Sequence, residues 1–308
     1  MARILSFRPR ADTASAPLDT GLSGFLKDFS IEVMPRTAAK IADFRAILPT
    51  GTRVYVAHID GTPFEEMLAT VTRLRDEGFE VMPHIPARVA CTRAQLGDWV
   101  SAYADAGVTQ ALVLAGGVSE VRGDLSNAME ILETGLLDRH GFTRIHVAGH
   151  PEGNRDIDRD GSDRAVMEAL RWKHAFAQRT DAQMALATQF CFEAEPVIAW
   201  AERLRAEGLD LPIHIGIAGP AKLQTLIKFA MACGVGPSLR VLTRRAADVT
   251  KLLLPFTPID ILRDLAAHKA AHPEFLVEAV HVFPLGGIGP AASFLDAQGR
   301  SAAGAAIA

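Results

Sequence analysis

Eight times along this chain a short run of β-branched or apolar residues is followed by a longer stretch with helical spacing, the alternation expected of parallel βα units. The runs are Ser30 to Pro35, Arg53 to Ile59, Glu80 to Pro86, Gln110 to Gly117, Arg144 to Pro151, Met184 to Phe192, Pro212 to Gly219 and Glu278 to Gly287. Between the second and third, PFEEMLATVTRLRDEG places Phe64, Met67, Leu68, Val71 and Leu74 at helical spacing, with Gly78 positioned to end the helix. Gly107 and Gly208 close equivalent stretches. Eight such units can close on themselves or lie open as a doubly wound sheet, but an open sheet usually carries G-x-G-x-x-G after an early strand, and none follows the first run. The pattern predicts an α/β protein, a (βα)8 TIM barrel forming a single domain over residues 30–308.

Residues 1–29 read as an N-terminal arm; its TASAPLDTGLSG segment suits either a mobile tail or a strap across the barrel bottom. The wide gap before the last run, with KLLLPFTPIDILRDLAAHKAAH at 251–272, reads as an extra helical insertion.

The length of 308 residues, 49% of them hydrophobic and 22% charged, suits one barrel of this size. A net charge of −4 gives no reason to expect nucleic acid or an anionic membrane as partner. Cys91, Cys191 and Cys233 are odd in number and far apart, which suggests neither a disulfide framework nor a zinc cluster. The apolar stretch in MARILSFRPR is short for a signal peptide, so the expected location is cytoplasmic; the oligomeric state stays open, a homo-oligomer included.

Active residues of a barrel come from the C-terminal ends of its strands and the loops beyond. Glu32 lies inside the apolar run FSIEVMP, where an inward-facing carboxyl would be desolvated and its pKa raised toward neutrality; an outward-facing one would pair with a Lys or Arg of a helix. His58 and Asp60 end the second strand, His84 the third and His150 the fifth, and His214 lies within the seventh, so several histidines are expected on one rim. No paired H-x-H on the first strand supports a metal, and none is expected. Gln189 in ATQFCF could read a heterocycle edge or bond to backbone, and Lys173 taken alone belongs to a solvated helix face.

These segments together resemble the methylenetetrahydrofolate reductase family. FSIEVMPRT is similar to its first-strand S-F-E-F-F-P-P-R pattern, MPHIPAR to its third-strand histidine segment and VAGHPEGN to its A-x-Y-P-E-x-H segment. LRWKHAFAQRTDAQMALATQFCFE is similar to its lysine helix with I-T-Q-F-F-F-D, LPIHIGIAGPAKLQTL to its P-G-I-x-P segment and VHVFPLG to H-F-Y-T-L-N. The resemblance implies reduction of 5,10-methylenetetrahydrofolate to 5-methyltetrahydrofolate, with hydride from NAD(P)H passing through FAD. It implies Glu32 as the acid, Gln189, Leu223 and His281 as folate contacts, and His58, His84, Gly117, His150 and Lys173 around the cofactor.

The chain departs from the pattern mainly where the family grips flavin. Gly117 stands in place of an aspartate, Ala57 and His58 replace Thr-Tyr, and Trp172 replaces a common arginine; a literal R-G-D-L occurs further on, at Arg122 to Leu125. Two other readings compete: a folate-binding or complex-forming barrel without reductase activity, and a lyase or methyltransferase on the same scaffold with His84 or His150 as base.

Overall fold

In the computed structural model, which describes residues 20–90, 92–117, 121, 123–233, 241–243 and 255–303, all eight expected strands form. They are β1 (Ser30–Val33), β2 (Arg53–Val56), β3 (Glu80–Pro86), β4 (Gln110–Leu114), β5 (Arg144–Gly149), β6 (Gln183–Cys191), β7 (Ile213–Ala218) and β8 (Val277–Phe283). Each pairs in parallel with the next, and β8 returns to β1 through Ser30 opposite His281, closing the barrel. Several strands stop short of the apolar runs that announced them. After β1, for example, Pro35 opens a short helix, because its fixed φ and missing N–H suit a first helical turn.

The connecting helices carry the predicted periodicity. In α3 (Phe64–Asp76), Met67, Val71 and Leu74 are buried, and Gly78 follows at φ 91°, a left-handed conformation that ends the helix without a Cβ clash. Gly107 and Gly208 follow α4 (Arg93–Asp105) and α8 (Ala194–Ala206) in the same conformation.

Among the described residues of the crossover from β7 to β8, two helices matter for the site. The later one, α10 (Ile259–Ala271), buries Ile261, Leu262 and Leu265 and packs against α8, so it belongs to the outer ring. The added element is the earlier α9 (Leu223–Ala232), joined to the strand ends of β6 and β7 through Phe190, Phe192, Ala218, Leu223 and Leu226. Residues 251–254 of the expected insertion and residues 1–19 of the expected arm lie outside the described residues. The described end of the arm is α1 (Thr20–Phe25), with Leu22 buried, against α10 and the last helix, α11 (Ile288–Ala303).

Strand alternation sorts the core into two unlike parts. Outward-facing Ile31, Val54, Val56, Ile85, Val113, Val147, Ile215 and Val280 join the helices in one large apolar shell. Inside the barrel the apolar cluster is small: Tyr55, Met82, Leu112 and Ala187, with Leu114 against them. The remaining interior is polar, with Ser30, His146, His214 and His281 each 1% exposed or less. The N-terminal mouth is bounded by side chains bonded across strands: Arg53 donates to Glu80 (2.7 Å) and Gln110 (2.8 Å), and Arg144 to Gln183 (2.7 Å).

Two consequences can be measured. The register of β6 shifts between Ala187 and Phe190, and Gly216 of β7 fits against that irregularity, its N–H donating to the Thr188 hydroxyl. A Cβ at position 216 would lie 2.5 Å from the backbone oxygens of Thr188 and Gln189. Gly216→Ala is therefore expected to destabilise the barrel by about 1–3 kcal/mol in denaturant unfolding; an unchanged midpoint would show that the two strands can separate freely.

The buried imidazoles set the acid limit. Burial lowers the pKa of His146, His214 and His281, with positive neighbours adding to the effect at His146. Unfolded, these groups titrate near 6.5, so as pH falls through that value the unfolded chain takes up protons that the folded barrel excludes. Tm is expected to hold at higher pH and drop as pH falls below 6.5, with proton uptake on unfolding approaching one per buried imidazole. A flat Tm across that range would mean the rings protonate without cost in the fold.

Candidate active site

Glu32 does face inward, as its place two residues after inward-facing Ser30 requires. Its Oε2 lies 3.3 Å from Nε2 of His84 on β3 and 3.7 Å from Nε2 of His281 on β8. The expected rise in its pKa is overturned by these neighbours. Burial alone would push the carboxyl up, but the imidazole nitrogens of His281 and His84 that face it outweigh burial and lower it from 4.5 to about 2. Glu32 thus rests as a carboxylate between two imidazoles.

His281 is fixed from behind. Its Nδ1 lies 2.9 Å from the Ser30 hydroxyl, its ring is 1% exposed, and Tyr55 packs beside it with ring centroids 4.2 Å apart. Placed there, His281 orients Glu32 and is too buried for the substrate contact expected of it. Of the other expected histidines, His150 lies apart at the end of β5, and two more are engaged elsewhere. His58 packs on Trp99 and bonds through Nε2 to the Thr62 carbonyl, and His214 lies deeper, 3.3 Å from Glu278.

A second group forms at the ends of β5 and β6. A cavity of about 380 Å³ is lined by His150, Asn154 and Arg155 from one loop, Gln189 and Phe190 from β6, and Met231 and Cys233 from the end of α9. The β6 irregularity turns Gln189 toward this space, while its Oε1 accepts from the Phe190 N–H at 3.2 Å. The oxygen thus bonds to backbone while the side chain lines the cavity. Cys233 stands at the exposed edge of the cavity, and partial desolvation and then the charge of Glu32 push its thiol pKa up. Leu223, expected to touch ligand, is buried in the apolar cluster of α9 instead.

Lys173 is not on a solvated face. It is 5% exposed, donates from Nζ to the Ala148 carbonyl at 2.8 Å, and burial lowers its pKa to about 8. Burial and then the Lys173 charge lower His150 to about 4, so that imidazole lines the cavity uncharged at neutral pH. Gly117 is on an exposed loop, where a Cβ would meet no atom within 4 Å. Among the described residues no cluster of His, Cys, Asp or Glu is arranged to hold a metal ion, and no helix is long and apolar enough to cross a membrane.

Sequence reasoning missed Ser30, Tyr55 and His146. Each was detectable, since Ser30 and Glu32, Tyr55 and Arg53, and His146 and Arg144 are pairs two residues apart on strands already identified.

Of the described large apolar side chains that remain exposed, Ile59, Val121 and Ile157 follow the C-terminal ends of β2, β4 and β5, and Met231, at the end of α9, lines the cavity. No protein-family model matches the chain. Among solved structures it is similar to an uncharacterized protein from Clostridium thermocellum that binds two copies of 5-methyl-5,6,7,8-tetrahydrofolic acid. That likeness has 11% identity, covers 91% of this chain and 99% of the other, and gives a TM-score of 0.55. A 7,8-dihydropteroate synthase from Vibrio fischeri ES114 aligns at 13% identity over 91% of this chain and 93% of its own, with a TM-score of 0.42. At these identities the first likeness is one of fold, and it is to a barrel whose ligand is a folate.

Proposed function

We propose that this barrel binds a tetrahydrofolate at its C-terminal mouth and reduces 5,10-methylenetetrahydrofolate to 5-methyltetrahydrofolate with hydride from NAD(P)H. The observation that carries the reading is the Glu32 carboxylate, held between two imidazoles on the same face as a cavity edged by Gln189. The folate ligand of the similar Clostridium thermocellum barrel and the family-like segments around Glu32 and Gln189 support it.

The reaction consumes one proton and one hydride. Protonation of N10 breaks its bond to the one-carbon bridge, the electron pair stays on N10, and the bridge becomes a 5-iminium cation that accepts hydride at carbon. Glu32, a carboxylate at rest, receives a proton through the imidazoles beside it and passes it to N10. Gln189 offers its amide to the pterin edge. NAD(P)H supplies the hydride when bound.

The residues present do not fit the flavin that the family pattern implies. Lys173 is buried against the Ala148 carbonyl, His58 is turned onto Trp99, and Gly117 and Ala57 have no side chain that could bond to a ring or phosphate. Each charged hydrogen bond lost is worth about 1.5–3 kcal/mol, which together weaken flavin binding by orders of magnitude. The purified protein is accordingly expected to lack flavin absorption and to gain no activity from added FAD; a stoichiometric flavin would overturn this.

Glu32→Gln keeps the volume and removes the acid. It is expected to lower kcat by roughly 10²-fold or more, while 5-methyltetrahydrofolate binding, followed by calorimetry, is retained. Equal turnover in the two proteins would remove Glu32 from the reaction, and wild-type binding without turnover would favour a folate-binding barrel over a reductase.

A further inference from the structure

A barrel interior is ordinarily filled by branched aliphatic side chains. Here a line of groups that can each accept and release a proton runs the length of it. At the N-terminal end, the Glu278 carboxylate, 57% exposed, lies 3.3 Å from Nε2 of His214. A register shift between β7 and β8 at Ile213 and His214 leaves Glu278 without a partner in the ladder and brings it to the interior. The His214 ring stands 4.3 Å, centroid to centroid, from that of His146. Nδ1 of His146 lies 2.5 Å from the Tyr55 hydroxyl. Tyr55 is beside Ser30, whose hydroxyl is 2.9 Å from Nδ1 of His281, and the other nitrogen of His281 faces Glu32.

The middle of this line is incomplete in an informative way. Nε2 of His146 and Nδ1 of His214 are fully buried, and neither has a hydrogen-bond partner. Leaving such atoms unsatisfied costs about 1–3 kcal/mol each, which aliphatic packing would avoid. They are also the two nitrogens that remain once Tyr55 and Glu278 have taken the others, and they belong to neighbouring rings. A direct bond or a single buried water between them would join the two halves.

We infer that this line is a proton relay, through which Glu32 is resupplied from solvent at the N-terminal mouth while ligands cover the C-terminal one. The inference rests on the reading of Glu32 as the group that delivers a proton in each turnover. The transfer balances: His214 takes a proton at Nε2 and releases one from Nδ1, His146 takes that at Nε2 and releases one from Nδ1, the Tyr55 and Ser30 hydroxyls each accept one and give one up, and His281 does the same between Nδ1 and Nε2. One proton leaves solvent at Glu278 and one arrives at Glu32. The neighbouring charges are Arg53 and Arg144, both near His146 and Tyr55, with Arg53 also near His214; they disfavour a resting cation, so protons pass through without staying. Ser30, Tyr55, His146, His214 and His281 are positioning and relay groups, and of this line Glu32 alone would touch substrate.

The test needs no substrate. In protein labelled with 15N-histidine, exchange of the ring N–H protons of His146 and His281 with solvent is measured by NMR alongside the backbone amides of β5 and β8. A relay predicts ring exchange at least 100-fold faster than those amides, although the rings are buried. It also predicts that Glu278→Gln, at an exposed position, and His214→Gln each slow exchange at His281 ten-fold or more with the amides unchanged. Ring protons that exchange no faster than the amides, or rates untouched by both substitutions, would overturn the relay. If wild-type protein exchanges as predicted but reduces no folate, the relay stands and the reductase reading falls. If it reduces folate, Glu278→Gln should leave the first turnover intact and slow later ones; slowing both equally would point to a structural role and count against the relay.

Discussion

The pairing of the first strand with the last is the constraint from which the rest of the structure follows. Ser30 and His281, far apart in sequence, meet across the β1–β8 seam both in the ladder and through their side chains. Closure brings His281 to Glu32, and the same closed ring places His84 on the other side of the carboxylate. Without the seam Glu32 would be a solvated side chain on an edge strand with an ordinary pKa. With it, the carboxylate is dehydrated yet kept ionised, because two imidazoles replace the water it has lost.

The strands were legible because their signal is local: each apolar run and the helix after it can be recognised without knowing what it packs against. The same holds for Gly78, Gly107 and Gly208, whose positive φ follows from the need to end a helix. Glu32 was also legible as an inward carboxyl. The direction of its pKa was not, since that depends on residues of β3 and β8 which only closure brings near. Lys173 and His58 failed for a related reason. A lysine on a helix and a histidine at a strand end look alike whether they meet solvent, a backbone carbonyl or an indole, and here they met Ala148 and Trp99.

Leu223, expected to touch ligand, serves instead to hold its own helix in place. The helix it begins is bound to the strand ends through aromatic residues, and Leu223 is one of the side chains that hold it there. A larger ring at that position would have to choose between that cluster and a ligand. The wall of the cavity on that side is made instead by Ala230, Met231 and Cys233, at the far end of the same helix.

The division of the core carries a consequence for how such a protein can change. The shell between strands and helices holds most of the buried aliphatic area, whereas the barrel lumen holds little. Apolar cohesion and polar, titratable groups are therefore assigned to opposite faces of the same strands, separated by one peptide unit. Substitutions in the lumen can retune or exchange the chemistry while the shell goes on specifying the architecture. A chain organised in this way has room to diverge in what it does long before it loses the shape in which it does it.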